Sequence, residues 1–277
     1  MRERILTFLN DPNREHPQLR AALRRCAVYA ESKASEEASV CVTAGANLAL
    51  SYAEKGRQVL LLEPFWCSDE ELLELQQCPL ILPALMDRYD ASAWAARKAL
   101  ESQKLGLPGL LRLHHWGAGY YLLPAWARKI ELAMCLFSEV AEFAYATKNS
   151  STLQFHLGFP GGGMAMLVFS ANLPAYSYRS FSLICSNGAV YYDDHKNSNL
   201  TVPRQPGQTL AASTVRGEEL SQSAAMLQDF FAWRTESPET AKLRHEKNWR
   251  SVIQAKELAS RVSNSLKRGE RIVHRVG

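Results

Sequence analysis

The stretch His156–Leu200 constrains the fold more than any other part of the chain. It consists of runs rich in Val, Leu, Phe, Tyr and Ile, separated by Gly, Pro or Asn clusters, a pattern typical of strands joined by tight turns. The dipeptide Asn187-Gly188 favours a hairpin, because both residue types tolerate positive φ. An antiparallel sheet is therefore predicted, with strands at Met164–Ser170, Tyr178–Cys185 and Ala189–Asp193.

The residues before position 105 show a different pattern, in which short apolar runs alternate with helical segments. This alternation indicates βαβ units and a small parallel sheet. Ser68 and Glu71 have the spacing of a capping box at the start of a helix. Strands are predicted at Ile5–Leu9, Cys26–Ala30, Val40–Thr43, Val59–Leu62 and Leu80–Leu85, and helices at Pro17–Arg25, Gly45–Lys55, Asp69–Gln77 and Ala91–Gln103.

The remaining segments complete the second half of the chain. Leu110–Trp116 is predicted as the first strand of the second sheet, and Pro124–Ser138 has apolar residues at helical spacing. Thr201–Val215 is polar and contains proline, which favours a loop or an arm. Pro238–Arg268 has a long helical pattern.

Charge and composition exclude several classes of function. The net charge is only +4 over 277 residues and no run of five basic residues occurs, which argues against a nucleic-acid partner. No apolar run reaches the length of a membrane span, and the N-terminal segment lacks the apolar core of a signal peptide. Six scattered cysteines without a CxxC pair indicate free thiols. A cytoplasmic protein is expected.

Several segments occur in an order shared with one family of oxidoreductases. Val40–Pro64 is similar to the strand–helix–strand passage that leads to a Glu-Lys-Pro motif in that family. The chain resembles the glucose–fructose oxidoreductase/inositol dehydrogenase (Gfo/Idh/MocA) family over roughly residues 38–273. The other matching segments are Ser68–Gln77, Arg88-Tyr89, Ala99–Gly109, Phe159–Ser170, Gly188–Leu200 and Ser265–Val273.

The resemblance implies an α/β fold with two domains. Residues 1–105 would form a truncated Rossmann-like parallel sheet, and residues 106–277 an α+β domain with an open, mostly antiparallel sheet and a terminal helix. In that family the open sheet commonly packs against another subunit. A homo-oligomer is therefore expected through the outer face of the sheet in Met164–Asp193, which carries the aromatic residues Phe169, Tyr178, Phe181 and Tyr191.

The expected cofactor site departs from the family pattern. Family members carry a glycine-rich turn that lets the backbone approach a dinucleotide pyrophosphate. Here the loop Asn10–His16 has no glycine and two acids, offset in part by Arg14 and His16. Glu31 ends the second predicted strand, where it can accept hydrogen bonds from a ribose or simply be solvated. Arg14 and Glu31 are the cofactor candidates, but no cofactor is expected.

The expected catalytic residues also depart from the family pattern. Glu63 stands where the family has the lysine of its Glu-Lys-Pro motif. Arg128 stands at the place of the family's histidine base, and arginine stays protonated near neutral pH. Glu131, three residues later, is a possible substitute base or an ordinary helix-surface carboxylate. Arg128, Glu131 and Glu63 are thus the degenerate catalytic positions.

A second group of polar residues surrounds the predicted second sheet. His114, His115 and Trp116 lie on one strand, and carboxylates and imidazoles in general suit divalent metals. Adjacent strand residues point to opposite faces, so the two histidines do not readily chelate one ion, and no metal is expected. The alternative is a sugar-binding cleft with Trp116 or Tyr120 stacking. Its other candidates are Asp193, Asp194 and His195.

Three functions remain open on these observations. The leading hypothesis is a non-catalytic member of the family that binds a sugar or polyol ligand or partners a related active subunit. The alternative is an oxidoreductase of a sugar or polyol that uses NAD or NADP and an altered proton relay. A purely structural assembly module is the third.

Overall fold

Two sheets organise the chain, and each lies in a separate unit. The computed structural model describes residues 3–8, 19, 21–22, 29–32, 39–116, 122–170, 178–193, 199–202, 211–214 and 222–268. The first unit comprises Met1–Tyr89 and Glu219–Ile253, and the second comprises Asp90–Glu218 and Gln254–Gly277. The predicted domains, 1–105 and 106–277, are each continuous, whereas both units are built from two segments. The boundary at residue 105 stays a prediction.

The first sheet is fully parallel and has the strand order β2-β1-β3-β4-β5. This confirms the Rossmann-like prediction. Because β1 lies between β2 and β3, the winding direction changes between β1 and β3, which is where ligands bind in open α/β sheets. The strands are β1 (Glu3–Phe8), β2 (Tyr29–Ser32), β3 (Val40–Thr43), β4 (Gln58–Leu61) and β5 (Ile81–Pro83).

Six helices accompany the two sheets in the described residues. The capping box is confirmed, because the Glu71 N–H donates to Ser68 Oγ at 3.1 Å and the Ser68 N–H donates to Glu71 Oε2 at 2.6 Å. The helices are α1 (Ala46–Glu54), α2 (Asp69–Leu75), α3 (Ala91–Glu101), α4 (Leu123–Phe137), α5 (Gln222–Arg234) and α6 (Pro238–Arg268), and 3₁₀ turns occur at Pro64–Trp66 and Met86–Tyr89.

The core of the first unit forms between β3, β4 and α5. Residues of β3 are completely buried, as expected for a parallel strand covered on both faces. Leu60 of β4 and Phe230 of α5 are both 1% exposed and belong to the same apolar cluster. Sequence analysis missed α5, since eight of its residues are buried and it has no polar stripe to reveal a helical period.

Polar contacts attach α6 to the rest of the first unit. Trp249 Nε1 donates to the Ile81 carbonyl at 3.0 Å, and Arg88 Nη1 donates to Asn248 Oδ1 at 3.0 Å. The buried His245 ring hydrogen-bonds the Cys78 carbonyl through Nε2 at 2.9 Å. Since a carbonyl only accepts, Nε2 carries the proton in this contact.

The second sheet has eight strands in the order β13-β12-β11-β10-β6-β9-β8-β7. Only β6 and β9 pair in parallel, and the other pairs are antiparallel, which confirms the predicted mostly antiparallel sheet. The strands are β6 (Pro108–Trp116), β7 (Phe143–Lys148), β8 (Thr152–Gly158), β9 (Met164–Ser170), β10 (Tyr178–Cys185), β11 (Gly188–Asp193), β12 (Asn199–Val202) and β13 (Ala211–Thr214).

Two local predictions about this sheet are wrong. The segment Thr201–Val215 is not only a loop or an arm, because β12 and β13 pair there and extend the sheet beyond β11. The hairpin between β10 and β11 exists, but Ser186 and Asn187 form its turn and neither Asn187 nor Gly188 has positive φ. A register irregularity at Ile184 and Cys185 accompanies this turn.

The two faces of the second sheet differ in burial. One face is apolar and packs under α4, where the Trp126 and Phe155 rings lie 5.3 Å apart. Phe169 and Phe181 are 2% and 4% exposed on this covered side, so they do not face outward as the sequence analysis expected. Tyr191 is 45% exposed. The side chain of Tyr178 lies outside the described residues. The described residues contain no helix that is long and apolar enough to cross a membrane.

We expect His245 to make the stability of the protein depend on pH. Burial lowers the pKa of its imidazole from 6.5, against the opposing effect of the hydrogen bond to the Cys78 carbonyl. As the pH is lowered, the unfolded chain therefore binds the proton at a higher pH than the folded chain does. The contribution of this histidine to the free energy of unfolding is complete above about pH 6.5 and decreases as the pH drops toward its pKa in the folded chain. Urea unfolding of His245→Gln should show a smaller loss between pH 7 and 5 than wild type.

The matched control is His156→Gln, a half-buried histidine of β8. If the His245 variant keeps the full pH dependence of the wild type, the imidazole is not its source.

Candidate functional site

A cavity in the second unit lies between β6, β9, β10, α3 and α4. Its enclosed space is about 30 Å³, and the surrounding depression, which is open to solvent, brings the total to about 450 Å³. The enclosed part has room for only one or two water molecules, so a larger ligand would lie in the open part. The cavity is lined by Asp90, Ser92, Ala93, Leu113, His114, His115, Lys129, Leu132, Leu167, Val168, Phe169, Arg179, Ser180, Phe181 and Tyr192.

The strand β6 brings two imidazoles to this cavity. His114 lies opposite Ser180, and His115 lies opposite Arg179, in the antiparallel pairing with β10. Because neighbouring strand residues point to opposite faces, the His115 imidazole lies on the covered face with Arg179 and Phe169, and the His114 imidazole lies on the uncovered face with Arg112. Only His115 therefore directs its ring to the face that carries Arg179.

Asp90 connects the start of α3 to β10. It is the N-cap residue of α3, and its Oδ1 accepts from the Ser92 N–H at 3.3 Å and from the Ser92 hydroxyl at 2.8 Å. Arg179 Nη1 donates to the other carboxylate oxygen, Oδ2, at 2.6 Å. Both oxygens of this carboxylate thus have partners, one in the helix and one in the strand.

His114 has the properties of a proton acceptor. Burial lowers the pKa of its imidazole, and the positive charge of Arg112 lowers it further, so the ring is neutral at neutral pH. Its Nε2 is buried and makes no hydrogen bond to any residue in the described part of the chain. The ring lies 6.0 Å from that of Trp116, measured between centroids. Because this ring lies on the sheet face opposite to Arg179, it is not directed at a ligand held by that guanidinium.

The structure brings together some of the predicted cleft residues. His114 and His115 line the cavity, and Trp116 contacts the ring of His114 without lining it. Asp193 ends β11 opposite Ser180, but its side chain lies outside the described residues. Tyr120, Asp194 and His195 lie outside them altogether.

The predicted catalytic residues do not line this cavity. Glu131 is 1% exposed in α4, and Arg128 is half-buried in the same helix. Glu63 follows β4 in the first unit. Their catalytic roles stay predictions. Sequence reasoning missed six polar lining residues: Asp90, Ser92, Lys129, Arg179, Ser180 and Tyr192. Asp90 had a signal, because an Asp directly before a predicted helix is a typical N-cap residue.

The carboxyl end of the first sheet is where a dinucleotide would bind in this fold. Of the predicted cofactor residues, Arg14 lies outside the described residues, and Glu31 lies in β2 with its backbone paired to Ile5. After β3, the small residues Ala44 and Gly45 lead into α1, whose first turn has no acidic residue and no side-chain cap. A helix start without an acidic side chain has suitable polarity for an anionic group, so the described residues fit a dinucleotide.

Metal binding finds no further support at either place. Among the residues that the structure describes, no group of three or more His, Cys, Asp or Glu side chains is placed to hold an ion. Asp194 and His195 are not among them. The expectation that no metal is bound stays a prediction.

Comparisons with known proteins give a result at the level of fold. No protein-family model matches the sequence, and no curated protein sequence matches it. An inositol dehydrogenase homologue from Azotobacter vinelandii, solved with NADH and myo-inositol, has a TM-score of 0.72 at 12% identity, over 97% of this chain and 96% of that one.

Two further solved structures are similar over their whole length. A myo-inositol dehydrogenase from Corynebacterium glutamicum has a TM-score of 0.72 at 12% identity over 99% of both chains. An oxidoreductase from Pseudomonas syringae has a TM-score of 0.74 at 10% identity, also over 99% of both chains. The fold of this chain is therefore that of inositol dehydrogenases and related oxidoreductases, in agreement with the Gfo/Idh/MocA resemblance of the sequence.

The expectation that no cofactor binds is contradicted by these comparisons. The Azotobacter vinelandii protein, which has the same fold, is bound to NADH. The expectation relied on the loop Asn10–His16 alone, whereas this fold holds a dinucleotide with several loops along the carboxyl edge of the sheet. One glycine-poor loop is too little to exclude a cofactor.

Substitutions of Asp90 should separate its two contacts. Asp90→Ala removes the helix cap and the ion pair with Arg179, and we expect a loss of about 1–2 kcal/mol in the free energy of unfolding. Asp90→Asn keeps a good N-cap residue and removes only the charge, so it should lose less than half as much. Urea unfolding measures both, and equal losses would show that the cap contributes nothing.

Proposed function

We propose that the chain is an NAD(P)-dependent oxidoreductase of a sugar or polyol that uses an altered proton relay. The observation that carries the proposal is the cavity lined by His115, Arg179 and Lys129, in which His115 and Arg179 are cross-strand neighbours on one sheet face. The support from comparison is that a protein of the same fold binds NADH and myo-inositol. This favours an active enzyme over a non-catalytic partner. Its cytoplasmic location stays a prediction.

The carboxyl edge of the first sheet is where the dinucleotide would be held. The start of α1 after Gly45 suits the phosphates, because helix N-termini favour anions. Glu31 and Arg14 are the predicted ribose and phosphate contacts, and a carboxylate that accepts from ribose hydroxyls favours NAD over NADP. When bound, the nicotinamide supplies the acceptor for the hydride.

The residues of the cavity handle the substrate and its proton. Oxidation of an alcohol to a carbonyl moves the carbon-bound hydrogen away as hydride and releases the hydroxyl proton. The His115 imidazole accepts that proton, since it lies opposite Arg179 on the same sheet face. Lys129 and Arg179 donate hydrogen bonds to substrate oxygens, and the Tyr192 hydroxyl orients neighbouring groups.

Glu131 remains the second candidate for the base. Its burial at 1% exposure places it away from the cavity surface, which favours His115. Arg128 and Glu63 occupy the positions of the family's catalytic pair and are proposed to be replaced in function by residues of the cavity.

We also propose that the chain forms a homo-oligomer through the uncovered face of the second sheet. Three exposed apolar side chains lie on that face, at Met164, Ile184 and Tyr191, with exposures of 44%, 40% and 45%. Exposed apolar groups on one sheet face are typical of a protein interface.

The first test is NADH binding followed by turnover. We expect calorimetry to detect NADH binding, and oxidation of inositols or sugars to be detectable by absorbance of NADH. His115→Gln should lower kcat by about a hundred- to ten-thousand-fold and leave NADH affinity unchanged, because only the proton acceptor is removed.

The matched control is His156→Gln, which lies outside the cavity and should keep wild-type turnover. Loss of turnover in Glu131→Gln with normal turnover in His115→Gln would assign the base to Glu131 instead. Absence of binding of both NADH and NADPH would reject the oxidoreductase proposal.

The second test concerns the oligomer. Tyr191→Arg puts a charge on the uncovered sheet face and should dissociate the oligomer, as measured by light scattering at micromolar concentration. Leu243→Arg is the control, because Leu243 is 68% exposed in α6. A wild-type chain that is already monomeric would disprove the interface.

A further inference from the structure

The uncovered face of the second sheet carries an apolar row that crosses the strands near one end of the sheet. Leu110 of β6 lies opposite Met164 of β9 on one side and opposite Ile184 of β10 on the other. Ala189 of β11 lies opposite Ile184 and continues the row. Phe143 of β7 lies in the same row, two strands from Met164. None of these five side chains carries a charge.

Leu107 lies beside this row, where the strands end. It is 79% exposed, the highest exposure of any large apolar side chain in the described residues. The Ser186 N–H donates to the Leu107 carbonyl at 2.9 Å, and the Leu107 N–H donates to Ser186 Oγ at 3.0 Å. Ser186 follows Ile184 by two residues, which is about 7 Å at the spacing of a strand. Leu107 therefore extends the apolar surface beyond the end of the sheet.

The loop that carries Leu107 is fixed to the hairpin turn between β10 and β11. The Asn187 N–H donates to the Leu105 carbonyl at 2.9 Å, and the Leu105 side chain is completely buried. Gly106 has a φ of +70°, and a Cβ atom at this position would lie 2.1 Å from Ser186 Oγ. Because the loop is held in place, Leu107 loses little conformational freedom when a partner covers it.

The size and chemistry of this surface favour a second copy of the chain as the partner. The six strands from β7 to β11 in sheet order span about 24 Å, and seven residues along them also span about 24 Å, so this face measures about 600 Å². One partner in a standard interface buries about 800 Å², so a copy that covers the face also reaches past its edges. In a two-fold contact a patch meets its own copy, so the row brings no like charges together.

We propose that Leu107 anchors the self-association of the chain, and that a second copy covers it together with the apolar row. The inference deepens the proposed homo-oligomer and rests on that proposal. Single exposed leucines are common on protein surfaces. Leu107 differs because a fixed loop joins it to an apolar row, and continuous apolar surfaces are typical of interfaces.

The experiment measures the dissociation constant of the oligomer by sedimentation of the full chain over a dilution series. Leu107→Ser should raise this constant at least tenfold, because each copy loses the burial of a leucine side chain. Leu107→Met keeps an apolar side chain of similar volume, so its constant should stay within about threefold of wild type.

The matched control is Leu243→Ser, because Leu243 is 68% exposed and lies in the first unit. It should leave the dissociation constant unchanged. Urea unfolding of each variant should match wild type, since both leucines are exposed in the single chain.

Three outcomes would overturn the inference. If Leu107→Ser associates as tightly as wild type while Tyr191→Arg dissociates the oligomer, the inference fails and the sheet-face oligomer stands. If Leu107→Met or Leu243→Ser weakens association as much as Leu107→Ser does, burial of an apolar side chain at position 107 is not the cause. A wild-type chain that stays monomeric over the whole series would reject the oligomer proposal and this inference together.

Discussion

The position of β6 inside the second sheet determines most of what the second unit can do. β6 is hydrogen-bonded to β10 on one side and to β9 on the other, in opposite senses. Leu111 and Leu113 bury one face of the strand, and each fully buried side chain of this size contributes about 1.5–3 kcal/mol. A shift of one residue in register would expose both leucines and move His114 and His115 to the wrong faces. Core packing and the geometry of the cavity therefore depend on the same pairing.

The sequence predicted best the elements whose local pattern matches their packing. The bounds of β9, β10 and α6 agree with the predictions, because apolar runs and turn residues mark their ends. α5 was missed since it is buried on all sides and lacks a polar face. β12 is a strand because it pairs with β11, and its own residues do not predict that contact.

The candidate site was only partly accessible to sequence reasoning. His114 and His115 stand out because two adjacent histidines are rare polar residues in an apolar strand. Arg179 is 89 positions from Asp90 in sequence, and only the pairing of β10 with β6 brings it to the cavity. The prediction that no cofactor binds was wrong for a related reason. It considered only one loop of a site that several loops form. A site formed by distant segments needs the topology before its members can be named.

Asp90 joins a helix start and a neighbouring strand through one side chain. The same carboxylate begins α3 and holds the guanidinium of Arg179. A change in ligand preference that evolves through Arg179 would leave this carboxylate without its strand partner, and a change at Asp90 would also weaken a helix. Lys129 does not cap a helix, because it lies within α4. Adaptation to new ligands, natural or in the laboratory, should therefore proceed more readily through position 129 than through the Asp90–Arg179 pair.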